Sequence, residues 1–66
     1  MNTKKNIKFN TIRYGLNLCQ TLCYGYGYRR AIKDKIQDNK HAEKLSNKYL
    51  CPDEYMLGYT DFFQQN

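Results

Sequence analysis

The sequence predicts an all-α fold, a small bundle of three to four short helices with a basic N-terminal arm. Three observations predict it. A motif of the form Tyr-x-x-Gly-Tyr-x-x-apolar-apolar occurs twice: Tyr24, Gly27, Tyr28, Ala31 and Ile32 align with Tyr55, Gly58, Tyr59, Phe62 and Phe63. Positions i, i+3, i+4 and i+7 share one helical face and have no such meaning for a strand. Ile12, Leu16, Cys19, Cys23 and Tyr26 follow one another at alternating spacings of four and three residues, a second helical stripe that Leu18 and Leu22 widen. Pro52 stands directly before Asp53 and Glu54. Proline is tolerated in the first helical turn, and carboxylates are favoured at the positive end of the helix dipole.

Taken in order, residues 1–9, "MNTKKNIKF", read as a basic arm that docks by Phe9. Asn10 and Thr11 are good N-cap residues for a helix over about 11–24. The stretch "CYGYGYRR" (residues 23–30) is ambiguous by itself. As a strand it would put Tyr24, Tyr26 and Tyr28 on one face, and two glycines cost a helix about 1 kcal/mol each against alanine. The repeat decides for a helix over about 26–37, with Gly25, which has no counterpart in the second copy, as a point of kinking or termination. The polar run from Gln37 to Lys40 is a break. Asp38 or Asn39 then caps a helix over about 40–50 through Ala42, Leu45 and Tyr49, which Pro52 ends. A last helix covers about 52–64, and residues 64–66 fray. In both copies of the motif the glycine, Gly27 or Gly58, lies between two rings on one face. It is expected to let another backbone come close, within the chain or across a homodimer, with Tyr55 and Tyr59 packing beside it.

Sixty-six residues make one domain (1–66). A chain this short buries only roughly 60% of the surface its unfolded form exposes, so it gains from any further tie such as a metal or a partner. Seven tyrosines and three phenylalanines carry much of the apolar content, and tryptophan is absent. Rings must therefore build the core, and each buried tyrosine needs a partner for its hydroxyl. The net charge of +5 is unevenly placed: residues 1–33 hold seven Lys and Arg and no acid, residues 34–66 four Lys against six acids, giving +7 and −2. Such an imbalance points to a polyanion or an acidic protein surface as partner. No apolar run follows Lys4 and Lys5, so no secretory leader is expected. No segment approaches the roughly 20 apolar residues of a membrane span. Three cysteines fit reduced thiols in a cytoplasm better than a secreted disulfide framework.

Catalysis is not expected. His41 is the single histidine and lies in a polar stretch, Asp53 and Glu54 diverge on a helix, and "YGYGY" lacks the lysine and hydroxyl of a phosphate loop. Cys19, Cys23 and Cys51 with His41 compose a conceivable zinc set, but no Cys-x-x-Cys knuckle is present. The cysteines are read as small buried hydrophobes, with no metal and no cofactor. Two binding functions remain. Lys and Arg with Tyr24, Tyr26 and Tyr28 suit phosphates and stacked bases, the reading of a direct nucleic-acid binder. Tyrosine and arginine are also the residues that dominate protein interfaces. The favoured expectation is a small non-catalytic regulator or inhibitor that binds a larger host protein or ribonucleoprotein complex that processes nucleic acid. The Lys-, Asn-, Ile- and Tyr-rich composition resembles the products of AT-rich phage and mobile-element accessory genes, including anti-CRISPR and antirestriction proteins. The expected partner-binding residues are Arg13, Tyr24, Tyr26, Tyr28, Arg29, Arg30 and Lys33, with Tyr26 and Arg30 sharing a face.

Overall fold

The computed structural model describes residues 2–65 as four helices, α1 (Thr3–Tyr14), α2 (Leu18–Asp34), α3 (Asn39–Ser46) and α4 (Pro52–Gln65). No strand occurs among the described residues, and the all-α expectation holds. The basic lead-in is not an extended arm. Asn2 caps α1, its side chain accepting from the Lys5 amide at 3.0 Å, and Ile7 rather than Phe9 buries itself. The helix ends at Gly15, whose φ of 69° is the left-handed cap that glycine adopts without penalty. The Gly15 and Leu16 amides return to the carbonyls of Ile12 and Thr11. Asn17 then starts α2 with a reciprocal cap: the Gln20 amide donates to Asn17 Oδ1 at 2.8 Å and the Asn17 amide to Gln20 Oε1 at 2.9 Å. The helix expected over 11–24 is thus parts of two helices, and the stripe from Ile12 to Tyr26 lies on no single rod. Ile12 is 69% exposed.

From Leu18 the chain stays helical through both glycines to Asp34. Gly25 does not break α2. It faces α1, where an added Cβ would lie 3.8 Å from Ile7 Cγ2 and 3.1 Å from Arg29 Nη1, so a methyl group there would meet only an ordinary contact and the end of a flexible side chain. The closest approach is between α2 and α4. A Cβ on Gly27 would overlap the Tyr55 carbonyl, with the carbonyl carbon at 2.7 Å. A Cβ on Gly58 would overlap the Tyr24 carbonyl, with its carbon at 2.9 Å. Residue 27 meets 55 while 58 meets 24, so the helices cross antiparallel and each copy of the motif accepts the backbone of the other. Tyr24, Tyr28, Tyr55 and Tyr59 are buried around this crossing. Phe62 meets Tyr28 edge-on at 5.5 Å between centroids, and Phe63 meets Tyr59 at 5.3 Å.

The end of α2 carries strain. Lys35 has a φ of 65°, and the Ile36 amide bonds to the Asp34 carbonyl at 2.7 Å across it. A side chain in the left-handed region costs about 1–2 kcal/mol, offset in part by the larger unfolded-state entropy of glycine. Lys35→Gly is therefore expected to stabilise the fold by roughly 0.5–1 kcal/mol, a rise in Tm of about 4 °C at this size. A thermal melt showing no rise would mean the turn is unstrained. α3 follows, with Asp38 accepting from the His41 amide at 3.1 Å, and covers Ala31 and Tyr59 with Ala42. It is shorter than the expected 40–50, because residues 47–50 leave it as turns. At the C-terminus Gln64 and Gln65 are helical rather than frayed, and Asn10 Nδ2 donates to Gln65 Oε1 at 3.2 Å. Asn66 of the expected fraying tail lies outside the described residues. No helix among them is long and apolar enough to cross a membrane.

Candidate interaction surface and thiol cluster

Because α2 starts at Leu18, its helical phase is fixed. Tyr24, Gly27, Tyr28 and Ala31 fill the side facing α4 and α3, and Leu18, Leu22, Tyr26, Arg29 and Lys33 fall on the opposite side. Leu18 is 78% exposed, Leu22 51% and Tyr26 47%, and Arg29 and Lys33 are exposed. At 1.5 Å per residue this face runs for about 22 Å. It carries no acid, since the first carboxylate of α2 is Asp34. The turn after α3 extends the surface. Tyr49 stacks on Tyr26 with centroids 5.2 Å apart and on buried Tyr55 at 4.7 Å, and Leu50 stands beside it, exposed. Leu22, Tyr26, Lys48, Tyr49 and Leu50 line a shallow groove of about 230 Å³. The aromatic column anchors an exposed ring to the core, so Tyr26 is held rather than free to swing.

The expected binding residues divide accordingly. Tyr26, Arg29 and Lys33 come together on this face. Tyr24 and Tyr28 do not reach the surface; both are 0% exposed and build the core, because Gly27, between them, lets α4 close onto that side. Arg30 is half-buried and engaged by α2 and α3. Its Nε lies 2.9 Å from Asp34 Oδ1, and its Nη2 lies 3.4 Å from His41 Nε2. Arg13 is on α1, its guanidinium 5.9 Å from the Phe9 ring and 5.8 Å from that of Tyr14. It belongs to a second exposed region with Phe9, Ile12 and the lysines of α1. Leu18, Leu22, Tyr49 and Leu50 were not expected as surface residues. The signal for the first two was their spacing with Tyr26 at i, i+4 and i+8, opposite the Tyr-x-x-Gly-Tyr side.

Buried carboxylate chemistry occurs at Asp61. Tyr24 donates to its Oδ2 at 2.6 Å and Tyr14 at 2.8 Å, and Asn10 Nδ2 donates to the Tyr24 hydroxyl at 2.9 Å. Burial, then the bond to Asp61, raises the Tyr24 pKa far above the ordinary phenol value, and the same bond raises that of Tyr14. A second tie joins α2, α3 and α4: Tyr59 donates to Asp34 Oδ2 and accepts from the Asp38 amide, both at 2.9 Å. These hydroxyls are donors locked into the fold, and Asp61 has no open side for a substrate to approach from among them.

The three cysteines converge. Cys19 and Cys23 stand on successive turns of α2. Cys51 occupies the N-cap position of α4, its carbonyl accepting from the Tyr55 amide. The three sulfurs lie within 4.8 Å of one another, with Cys19 and Cys51 Sγ atoms 3.5 Å apart. Cys23 is buried and the other two half-buried. His41 is not with them; it sits beside Arg30. The hydrogen bond with Cys19, burial and the neighbouring Cys23 push the Cys51 thiol up to about 12. At neutral pH it is a protonated thiol and a poor nucleophile.

Comparison of the chain with protein-family models, curated proteins and solved structures finds no match. Any functional reading therefore rests on this face and this cluster.

Proposed function

We propose that the chain is a non-catalytic binding protein that docks the outer face of α2 onto an acidic, partly apolar surface of a larger protein. The observation that carries this is one acid-free helical face on which Leu18, Leu22 and Tyr26 are exposed beside Arg29 and Lys33. Large apolar side chains left in water on a chain with little surface to spare mark a contact site. Cations beside them select a carboxylate-bearing partner and speed encounter. Tyrosine and arginine near the centre of a patch are the usual sources of binding energy. The composition and size fit the accessory proteins of phages and mobile elements, and the partner class proposed is a host complex that processes nucleic acid. A basic chain does not mimic nucleic acid in such a complex. Its inhibition would act from an acidic surface of the partner rather than by filling the partner's basic channel.

Direct nucleic-acid binding is the second reading, favoured by the acid-free α1 with Lys4, Lys5, Lys8 and Arg13. Two experiments separate them. Tagged protein is used to capture partners from host lysate treated with nuclease, comparing wild type with Leu22→Glu and with Arg29→Glu plus Lys33→Glu. Arg30 is left intact because a carboxylate there would face Asp34. The expected result is one protein complex retained after nuclease and reduced at least tenfold by either variant, with helical circular dichroism unchanged. Capture unaffected by Leu22→Glu would overturn the docking face. Affinity for generic DNA or RNA that falls log-linearly and steeply with salt, with no nuclease-resistant partner, would establish the second reading in its place.

A further inference from the structure

We propose that Cys19, Cys23 and Cys51 form a three-thiolate site for one thiophilic metal ion, Zn(II) or Cu(I), with a coordination position open to the groove under Leu22 and Tyr49. This reverses the expectation of a metal-free chain, and it goes beyond the docking function. The spacing is that of a ligand set. With a metal–sulfur distance of about 2.3 Å, three sulfurs around one ion stand about 4.0 Å apart in a trigonal plane and about 3.8 Å apart at three corners of a tetrahedron. The observed sulfurs, all within 4.8 Å with one pair at 3.5 Å, lie around both values, so rotamer adjustments that move a sulfur by up to about 1 Å seat the ion.

The set is also held in place before any metal arrives. Two ligands ride on one rigid helix, one turn apart. The third is fixed where α4 begins, and α4 is pinned to α2 by the crossing of Gly27 and Gly58. Gln20 Nε2 donates to Glu54 Oε2 at 3.2 Å, clamping the two helices beside the cluster. Ligands carried on packed helices lose little entropy on binding. Among the described residues no histidine or carboxylate joins the group. Hard cations that need oxygen ligands are thereby disfavoured, and soft thiolates select zinc and copper(I). Binding would release the three thiol protons, leaving a net anionic centre with Zn(II), and Lys48 on the groove wall offers the compensating charge. Sequence spacing offers these cysteines only as a conceivable set with His41, because the third ligand arrives from a different helix and no Cys-x-x-Cys knuckle is involved.

The test uses the full chain, reduced, stripped with chelator and kept anaerobic. Zn(II), Co(II) as its visible probe, and Cu(I) are titrated separately against a chromophoric competitor, with stoichiometry read by native mass spectrometry. One ion per chain is expected, with thiolate-to-cobalt charge-transfer absorption and a raised Tm in the metal-bound form. The ion retained under competition distinguishes zinc from copper(I). Since loss of mere outer-shell partners costs on the order of 10–100-fold in metal affinity, each of Cys19→Ser, Cys23→Ser and Cys51→Ser is expected to weaken binding by at least a hundredfold. Cys19→Ala and Cys51→Ala, at the half-buried positions, provide folded controls if Cys23→Ser is destabilised. Binding unchanged in the Cys19 and Cys51 variants, a Co(II) spectrum without thiolate bands, or no retention of either ion at micromolar concentration would each overturn the site.

Discussion

Gly27→Ala and Gly58→Ala are each expected to cost more than about 3 kcal/mol, about a third or more of the stability of a fold this size. Overpacking an adaptable core costs about 1–3 kcal/mol because side chains can shift. Here the added methyl meets carbonyl groups of the facing helix, Tyr55 at Gly27 and Tyr24 at Gly58, and no rotamer change relieves it. The helices must separate, and with them four buried tyrosines. At roughly 0.05–0.15 kcal/mol per residue the whole fold is worth about 3–10 kcal/mol. Gly25→Ala is the control. Its methyl meets the end of the flexible Arg29 side chain and Ile7 at ordinary contact distance, and the helix gains up to about 1 kcal/mol in propensity. Urea melts should rank Gly25→Ala near or above wild type and the other two far below. A melt in which all three behave alike would show that α2 and α4 do not cross this closely.

The same positions show what was legible in the sequence. The helical class and the recurrence of the motif were readable because the i, i+3, i+4 spacing is a local property of the chain; that the two copies face each other was not. The division into elements was less so. Asn10 and Thr11 looked like a cap, yet both are buried within α1, and the true boundary lies at Gly15-Leu16-Asn17. Glycine at a C-cap followed two residues later by Asn-x-x-Gln is a stop and start signal. The apolar residues that run across it belong to two helices and the link between them, so their spacing carries no single period. The arm expected over residues 1–9 is helical for the converse reason: α1 has one buried apolar side chain, Ile7, and is held by capping and by polar contacts of Asn10 and Tyr14, which leave no hydrophobic period to read.

The candidate surface was half legible. Tyr26, Arg29 and Lys33 share the exposed face, and a wheel drawn from Leu18 places them there. Tyr24 and Tyr28 were expected with Tyr26 as rings available to stack bases or anchor an interface. A helix instead turns them about 200° away, two steps of about 100° each. The three cysteines were nameable from the sequence as a conceivable set with His41, but their convergence was not legible. Whether Cys51 meets Cys19 depends on the antiparallel crossing of α2 and α4, which no local spacing encodes.

Asp61→Ala is expected to destabilise the protein by about 3 kcal/mol at pH 7. The carboxylate receives two hydroxyl bonds, and bonds to a charged acceptor contribute about 1.5–3 kcal/mol. Tyr14 is partly exposed and can turn to water. Tyr24 is fully buried and is left with only Asn10, which donates to it. The loss also frees α1, since Tyr14 and Asn10 are its polar links to α2 and α4. Asp61→Asn retains an acceptor oxygen and should lose roughly half as much. Alkali gives an independent check. Tyr24 has a folded pKa raised above the phenol value of about 10, so the unfolded state loses its proton first. Its contribution is complete below pH 10 and is lost as pH rises from there, at about 1.4 kcal/mol per pH unit. In Asp61→Ala burial remains but the bond to the carboxylate is gone. The folded pKa comes down, and the alkaline loss begins at the same pH but levels off sooner. Urea melts between pH 7 and 12, read with tyrosinate absorbance, measure both effects. Stability of Asp61→Ala within about 1 kcal/mol of wild type, with an unchanged alkaline profile, would mean that α1 is held by Ile7 alone and that the carboxylate is a bystander in the core.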